Sequence, residues 1–222
     1  MSLIILIALT SVLQLKNFNP ENYSLLCLGD SYTIGQSVKT NGRFPEQTVS
    51  LLNKTKSHFE SPTIIAGTGW TTKNLIDAIE KNNLQQKYDY VTLLIGVNDQ
   101  FRGIDTAIYA ANFEKLLLTA IKYADEKKNH VIVLSIPDYG VTPFANYSCA
   151  SAELISNEID TFNSINKRIA AEYKVHYIDI TAISRKAKDD TTLLADDGLH
   201  PSGKMYMLWA ELVGNYIINH TR

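Results

Sequence analysis

Three polar residues in this chain of 222 residues have the types and spacing that acyl transfer requires. Ser31 follows an apolar run near the start of the chain, whereas Asp197 and His200 lie together near its end. A serine hydroxyl attacks a carbonyl group when a base takes its proton, and the base needs an acceptor that orients it. Ser31 is therefore the candidate nucleophile, His200 the candidate base and Asp197 its acceptor.

Asp196 offers a second carboxylate next to Asp197. Asp197 is separated from His200 by Gly198-Leu199, so its side chain can fold back onto the imidazole within one tight loop. Neighbouring side chains of an extended segment point in opposite directions, which turns Asp196 away. We favour Asp197 as the orienting residue and expect Asp196 to face solvent or to cap a nearby helix.

The same chemistry needs hydrogen-bond donors for the oxyanion that forms during attack. The candidates are the backbone N–H groups of Ser31 and Gly69 and the side-chain amide of Asn98, with Gly67 as an alternative to Gly69. Each residue also has a common structural explanation, such as a helix N-cap for Ser31 or a turn for Gly69. We favour catalysis, because separate strand endings rarely carry such a set by chance.

The scaffold follows from apolar runs that alternate with helical patterns. The runs predict strands buried on both faces, at 23–28, 63–66, 90–95, 131–136 and 175–180. The patterns between them predict helices at 43–53, 72–82, 107–127, 152–173 and 202–219. This alternation indicates an α/β fold with a parallel sheet covered on both faces. Ligands of such sheets bind beyond the carboxyl ends of the strands, where the candidate residues lie.

Composition limits the partners that the chain can have. Lys plus Arg number 21 and Asp plus Glu 23, so the net charge of -2 provides no basic surface for nucleic acid. We expect a small-molecule ester as substrate, and no required protein partner is evident. The two cysteines, Cys27 and Cys149, have no zinc-ligand spacing nearby and are predicted to be free thiols.

The first 20 residues differ from the rest of the chain. The apolar run at 3–13 is too short to span a bilayer, which takes ~20 residues, but it suits the core of a signal peptide. No Lys or Arg precedes it, so an apolar helix packed on the domain or a misplaced start codon is the alternative. We favour an exported, periplasmic or membrane-proximal protein over a cytoplasmic one. Residues 21–222 are predicted to form a single domain.

Four sequence blocks resemble, in order, those of the SGNH (GDSL-type) hydrolases. They are Gly29-Asp30-Ser31, Gly69, Gly96-Val97-Asn98-Asp99 and Asp197-Gly198-Leu199-His200. The resemblance extends over nearly everything from residue 23 to residue 219. The segment 96–103 is most similar to the bacterial thioesterase/lysophospholipase-like branch.

The resemblance implies a three-layer α/β/α fold with a five-stranded parallel sheet of flavodoxin-like order 2-1-3-4-5. It implies an esterase or lipase without metal or other cofactor, in which Ser31, Asp197 and His200 form the catalytic triad. Ser31, Gly69 and Asn98 would form the oxyanion hole. The substrate would be a short-chain ester, an acetylated sugar or a lysophospholipid. The alternatives are an acyltransferase that uses the same residues and a non-catalytic module that binds carbohydrate or lipid.

The segment 138–151 follows the fourth predicted strand and is expected to form one wall of the pocket. It carries three aromatic residues, Tyr139, Phe144 and Tyr147, that could stack on a sugar ring or line an acyl channel. Aromatic residues that only anchor a loop are the alternative explanation.

Overall fold

A parallel sheet of five strands forms the centre of the fold. The structure, a computed structural model, describes residues 22–148 and 150–220. In chain order the strands are β1 (Asn22–Tyr23), β2 (Leu25–Gly29), β3 (His58–Phe59), β4 (Thr63–Ala66), β5 (Tyr90–Leu94), β6 (Val131–Leu134) and β7 (His176–Ile178). The central sheet has the order β4-β2-β5-β6-β7, and β1 pairs with β3 in a separate two-stranded sheet. Counted along the chain, the central order is 2-1-3-4-5, which confirms the predicted topology.

Helices connect the strands of this sheet. They are α1 (Ser31–Ile34), α2 (Phe44–Leu52), α3 (Thr72–Asn82), α4 (Val97–Phe101), α5 (Thr106–Tyr123), α6 (Ala152–Tyr173), α7 (Thr181–Ser184) and α8 (Gly203–His220). Short 3-10 turns lie at Thr40–Gly42, Lys128–His130, Tyr139–Val141, Pro143–Tyr147, Arg185–Lys188 and Thr191–Leu193. Helix α2 packs on α8, and α5 packs against both α3 and α6.

Burial of the central strands agrees with their composition. Every residue of β2, β5 and β6 is buried, so helices cover both faces of the sheet, as continuous apolar runs require. The strand predicted at 131–136 is shorter in the structure and ends at Leu134. The backbone N–H of Ile136 donates to Oδ1 of Asn163 at 2.7 Å instead of to a neighbouring strand, so α6 takes over the hydrogen bonding there.

Local signals at the helix ends explain which predicted boundaries are right. The helices predicted at 72–82 and 152–173 have those bounds, and the side chains of Thr71 and Ser151 cap their first turns. The helix predicted at 107–127 ends at Tyr123 instead. The carbonyl of Tyr123 accepts from the N–H of Tyr88 at 2.8 Å, and Asp125 has a left-handed backbone (φ 55) that a helix cannot continue.

Two of the predictions concern residues that the structure does not describe. The predicted export or membrane-proximal segment at 1–20 and the thiol of Cys149 lie outside the described residues. Cys27 is a free thiol, and its burial in β2 raises its pKa to about 12. Within 22–148 and 150–220, no helix has the length and apolar character needed to cross a membrane.

The glycine that follows β5 is predicted to be essential for stability. Gly96 has φ +131, and a Cβ there would lie 2.3 Å from the Tyr109 hydroxyl and 2.7 Å from Cδ1 of Ile136. We expect Gly96→Ala to lower Tm by roughly 10 °C, since it adds both strain and overlap. Gly103→Ala is the control, because Gly103 has φ +63 but open space around it. Equal losses in thermal unfolding of the two variants would contradict this explanation.

Candidate active site

One cavity of about 100 Å³ joins residues from both ends of the chain. Ser31 from α1, Asn98 from α4 and His200 from the loop before α8 line it together. The remaining lining residues are Tyr32, Val97, Phe101, Tyr139, Phe144 and Leu199. The structure therefore brings three of the predicted site residues to one surface.

The end of β2 presents Ser31 to this cavity. Gly29 ends the strand, and Asp30 caps α1 by accepting the N–H of Tyr32 on Oδ1 at 3.0 Å. Ser31 is therefore the first residue of the helix, and its alternative explanation as an N-cap is wrong. Ser31 is only 6% exposed, so its hydroxyl lies in a recess beyond the sheet edge.

A tight loop orients His200. Gly198 has φ +66 and turns the chain so that Oδ1 of Asp197 accepts the N–H groups of Leu199 at 3.0 Å and of His200 at 2.9 Å. The other oxygen, Oδ2, lies 2.6 Å from Nδ1 of His200. The loop is closed by a hydrogen bond from the N–H of Ala195 to the carbonyl of His200. With Nδ1 held by the carboxylate, Nε2 is the ring nitrogen that remains for other partners.

Hydrogen bonding keeps the Asp197 carboxylate charged. Partial burial raises its pKa, but the hydroxyl of Ser37, the imidazole of His200 and the two loop N–H groups outweigh burial and lower the pKa to about 2. Asp196 is exposed, as is Asp197, but it is Asp197 whose carboxylate contacts the ring of His200. The geometry therefore pairs His200 with Asp197, the carboxylate that the sequence favoured.

The loop after β4 carries the two candidate glycines. A Cβ on Gly67 would lie 2.2 Å from the ring of Trp70, whereas at Gly69, which has φ +72, it would lie 3.6 Å from Nη2 of Arg102, an ordinary contact. The carbonyl of Gly69 accepts from Nη2 of Arg102 at 2.8 Å, and Nδ2 of Asn98 donates to the carbonyl of Trp70 at 3.0 Å. Helix α4 thus holds this loop at two points. The choice of Gly69 over Gly67 as an oxyanion donor stays a prediction.

Asp99 has a structural role that the sequence analysis did not identify. Its carboxylate is buried and accepts the N–H of Thr72 at 2.8 Å and the hydroxyl of Thr72 at 2.6 Å, which anchors the start of α3. Neighbouring residues of a helix point about 100° apart, so Asn98 faces the cavity while Asp99 faces α3. A prediction of helix α4 would have shown that Asn98 and Asp99 face different directions, but this helix was not predicted from the sequence.

Aromatic residues form the outer side of the cavity. The rings of Phe101, Tyr139 and Phe144 lie with centroids 6.1 to 6.3 Å apart, and we call these three residues the aromatic wall. Tyr147 lies 6.4 Å from Phe144 and is 85% exposed, so it extends outward from the wall. Phe101, which was not predicted from the sequence, follows Asn98 by one helical turn and shares its face.

Hydrogen bonds of Asp138 hold the segment that leads to the aromatic wall. The side chain of Asp138 is buried, and its Oδ2 accepts from Nε of Arg185 at 2.8 Å. The other oxygen of Asp138 accepts the N–H of Gly140 at 2.8 Å, and the N–H of Asp138 donates to the Ser184 hydroxyl at 2.9 Å. These contacts fix the segment that leads from β6 to the wall.

Comparison with known proteins identifies the family. The sequence model of the GDSL-like lipase/acylhydrolase family matches residues 27–208. The chain therefore belongs to this family, as the sequence blocks predicted, and is a carboxylic ester hydrolase. It is 25% identical over 201 residues to an arylesterase of Vibrio mimicus, and the match covers 88% of each chain.

Solved structures share the fold at low sequence identity. The acetylxylan esterase Axe2 of Geobacillus stearothermophilus is 23% identical and superimposes with a TM-score of 0.66, covering 88% of this chain and 94% of its own. The structure of TesA is 19% identical, with a TM-score of 0.67 and coverage of 87% of this chain and 97% of its own. These likenesses support the fold assigned above.

Asp30 is a second unusual carboxyl at this edge of the sheet. It is 1% exposed, and its Oδ2 has no hydrogen-bond partner among the described residues. Burial, opposed by the Tyr32 N–H and assisted by the nearby charge of Asp99, raises its pKa to about 8. The group is therefore mainly protonated in the folded protein at neutral pH.

Asp30→Asn is predicted to change how stability depends on pH. The wild-type carboxyl has a pKa of about 8 when folded and 3.8 as its ordinary value, so the unfolded chain ionises first as the pH rises. Wild-type stability is lost progressively between those two values, whereas the variant lacks this loss and keeps an oxygen for Tyr32. We expect the advantage of the variant to grow by up to ~1.4 kcal/mol per unit of pKa difference. Denaturant unfolding from pH 4 to 8 measures it, and a constant difference would contradict the assignment.

Proposed function

We propose that this chain hydrolyses short-chain carboxylic esters through an acyl-enzyme intermediate on Ser31. The single observation that carries the proposal is the cavity that Ser31, Asn98 and His200 line together. Oδ2 of Asp197 lies 2.6 Å from Nδ1 of His200, which leaves Nε2 free to act on the serine hydroxyl. A hydroxyl, a base with an oriented ring and an amide donor are the set that acyl transfer requires.

Each residue has a defined part in the proposed reaction. The Ser31 hydroxyl attacks the ester carbonyl while Nε2 of His200 takes its proton. The resulting imidazolium is stabilised by the Asp197 carboxylate and then protonates the leaving alcohol, so the C–O bond to that alcohol breaks. Water then attacks the acyl carbonyl while Nε2 of His200 takes its proton. The bond between the acyl carbon and Ser31 Oγ breaks, His200 returns the proton to Oγ, and the acid is released.

Three donors are proposed for the tetrahedral oxyanion. The N–H of Ser31 lies in the first turn of α1, where backbone N–H groups have no acceptor within the helix. The Asn98 side chain uses one N–H on Trp70, and its amide has a second N–H to donate. The N–H of Gly69 is the third, since Gly69 lies in a left-handed turn without a side chain of its own, and even a Cβ there would make only an ordinary contact with Arg102.

The size of the cavity favours a small acyl group. About 100 Å³ beside Ser31 suits an acetyl group better than a long chain, and the aromatic wall provides an apolar surface for a ring in the leaving group. The arylesterase and acetylxylan esterase among the similar proteins carry names that agree with this substrate class.

Reaction of Ser31 with a fluorophosphonate probe is the direct test of this function. We expect the wild type to hydrolyse p-nitrophenyl acetate and to be labelled at Ser31, with both properties lost in Ser31→Ala. Ser164→Ala, which changes an exposed serine on α6, is the matched control and should behave as wild type. A wild type that is neither labelled nor active would indicate a non-catalytic binding module. Ester products formed in the presence of added alcohols would indicate an acyltransferase.

Asp197→Asn and Asp196→Asn are predicted to differ strongly. Asparagine at 197 cannot hold the imidazole proton as a carboxylate does, and the equivalent change in a serine protease lowers turnover by ~10⁴. Asp196 is exposed and precedes the loop, so its variant should keep most activity. Turnover of one short-chain ester by both variants, with their melting temperatures, measures the difference. The reverse ranking would assign the orienting role to Asp196.

A further inference from the structure

The Asp197 carboxylate has a fourth partner that lies far away in the sequence. The hydroxyl of Ser37 donates to Oδ2 of Asp197 at 2.5 Å, across 160 positions of the chain. Oδ2 is also the oxygen that receives Nδ1 of His200 at 2.6 Å. Since Oδ1 is occupied by two N–H groups of its own loop, Ser37 completes the hydrogen bonding of this carboxylate.

The backbone at Ser37 has an unusual conformation. Its φ of 66 is left-handed, a region that residues with a side chain rarely adopt outside special sites. Two residues earlier, Gly35 ends α1 with φ 65, and the N–H groups of Gly35 and Gln36 both donate to the carbonyl of Ser31. The turn that ends the helix of Ser31 therefore carries Ser37 directly to the loop of Asp197.

We propose that Ser37 is a positioning residue that fixes the Asp197–His200 pair relative to Ser31. The inference rests on the proposed function of these three residues. Ser37 lies on the segment that bears the nucleophile, and its hydroxyl binds the acid of the loop that bears the base. Hydrogen bonds to a charged group are stronger than neutral ones, so this single contact can orient the carboxylate.

Loss of the Ser37 hydroxyl has a chemical consequence besides looser geometry. An Oδ2 with one donor instead of two makes a stronger hydrogen bond to Nδ1 of His200, so the acid side of the pH profile of the reaction is expected to change. Other titratable groups at this site are Tyr32 from α1, Tyr206 from α8 and Asp30. Burial raises the pKa of both tyrosines well above 10, so they stay neutral in the assay range. Asp30 is common to all variants compared below.

Three variants separate positioning from a purely structural role. Ser37→Gly removes the hydroxyl and suits the left-handed backbone, so the fold should not suffer. Ser37→Asn restores a donor on a residue that tolerates this conformation. Lys174→Gly is the backbone control, because Lys174 ends α6 with φ 59 and is exposed. Each is measured for Tm, for kcat and KM on p-nitrophenyl acetate across pH, and for the NMR signal of the His200 Nδ1–H proton.

We expect Ser37→Gly to melt near the wild type while kcat falls about tenfold with little change in KM. The acid limb of its pH profile should move up by about half a pH unit, and the Nδ1–H signal should shift. Ser37→Asn should recover part of kcat, and Lys174→Gly should match wild-type activity. Wild-type kcat and acid limb in Ser37→Gly would overturn the inference, as would a parallel collapse of Tm.

The experiment also distinguishes this inference from the function on which it rests. If the wild type turned over no ester, the proposed function would fail. The Nδ1–H signal alone would then test whether the Ser37–Asp197 contact positions His200. A signal that moves in Ser37→Gly and returns in Ser37→Asn supports positioning of the pair. A signal that stays fixed in both variants overturns it.

Discussion

The register of β2 between its two neighbours determines where the site can form. Gly29 pairs with Ala66 on one side and with Leu94 on the other, so three parallel strands end at one level. Strands lie about 4.8 Å apart, which means that the three following loops begin within about 10 Å of one another. A shift of one residue would turn the side chains of a strand to the opposite face. The packing of the apolar runs therefore also positions Ser31 and Asn98.

The sheet does not position His200, whose place is set by its own loop and by the packing of α8 on α2. Its loop is closed by an isolated bridge between Leu194 and Pro201 and leads directly into α8. Nε2 of Gln47 on α2 donates to the carbonyls of Gly42 at 2.6 Å and of Gly203 at 2.9 Å, so one buried side chain joins the start of α8 to the turn before α2. The base thus depends on helix packing, whereas the nucleophile depends on strand pairing.

The sequence predicted those features that arise from short-range patterns. Continuous apolar runs located all five central strands, and the caps at Thr71 and Ser151 agree with the helix starts that periodicity gave. The helix α4 has only five residues, too few to show a period of 3.6, so it was not predicted. The two-residue strands β1 and β3 are too short for any pattern. Likewise, no spacing rule relates Ser37 to Asp197, because their contact exists only after the two ends of the chain meet.

Buried carboxyl groups replace the sheet as hydrogen-bond partners where the strands end. Asp30 follows β2, Asp99 lies in the first turn after β5, and Asp138 follows β6. Their carboxyl oxygens accept the N–H groups of Tyr32, Thr72 and Gly140, respectively. Backbone that leaves a sheet needs new acceptors, and a buried N–H without one is costly.

This requirement explains why two of the sequence blocks combine a candidate site residue with an aspartate. Asp30 builds the loop beside Ser31, and Asp99 builds the loop beside Asn98. Desolvation of these carboxyls opposes folding, as the raised pKa values of Asp30 and Asp99 indicate. Apolar replacements would remove this desolvation cost, but they would leave the N–H groups that these carboxyls accept without partners, which is costly in turn. Their presence is therefore best explained by the irregular backbone that the chemistry at the sheet edge requires.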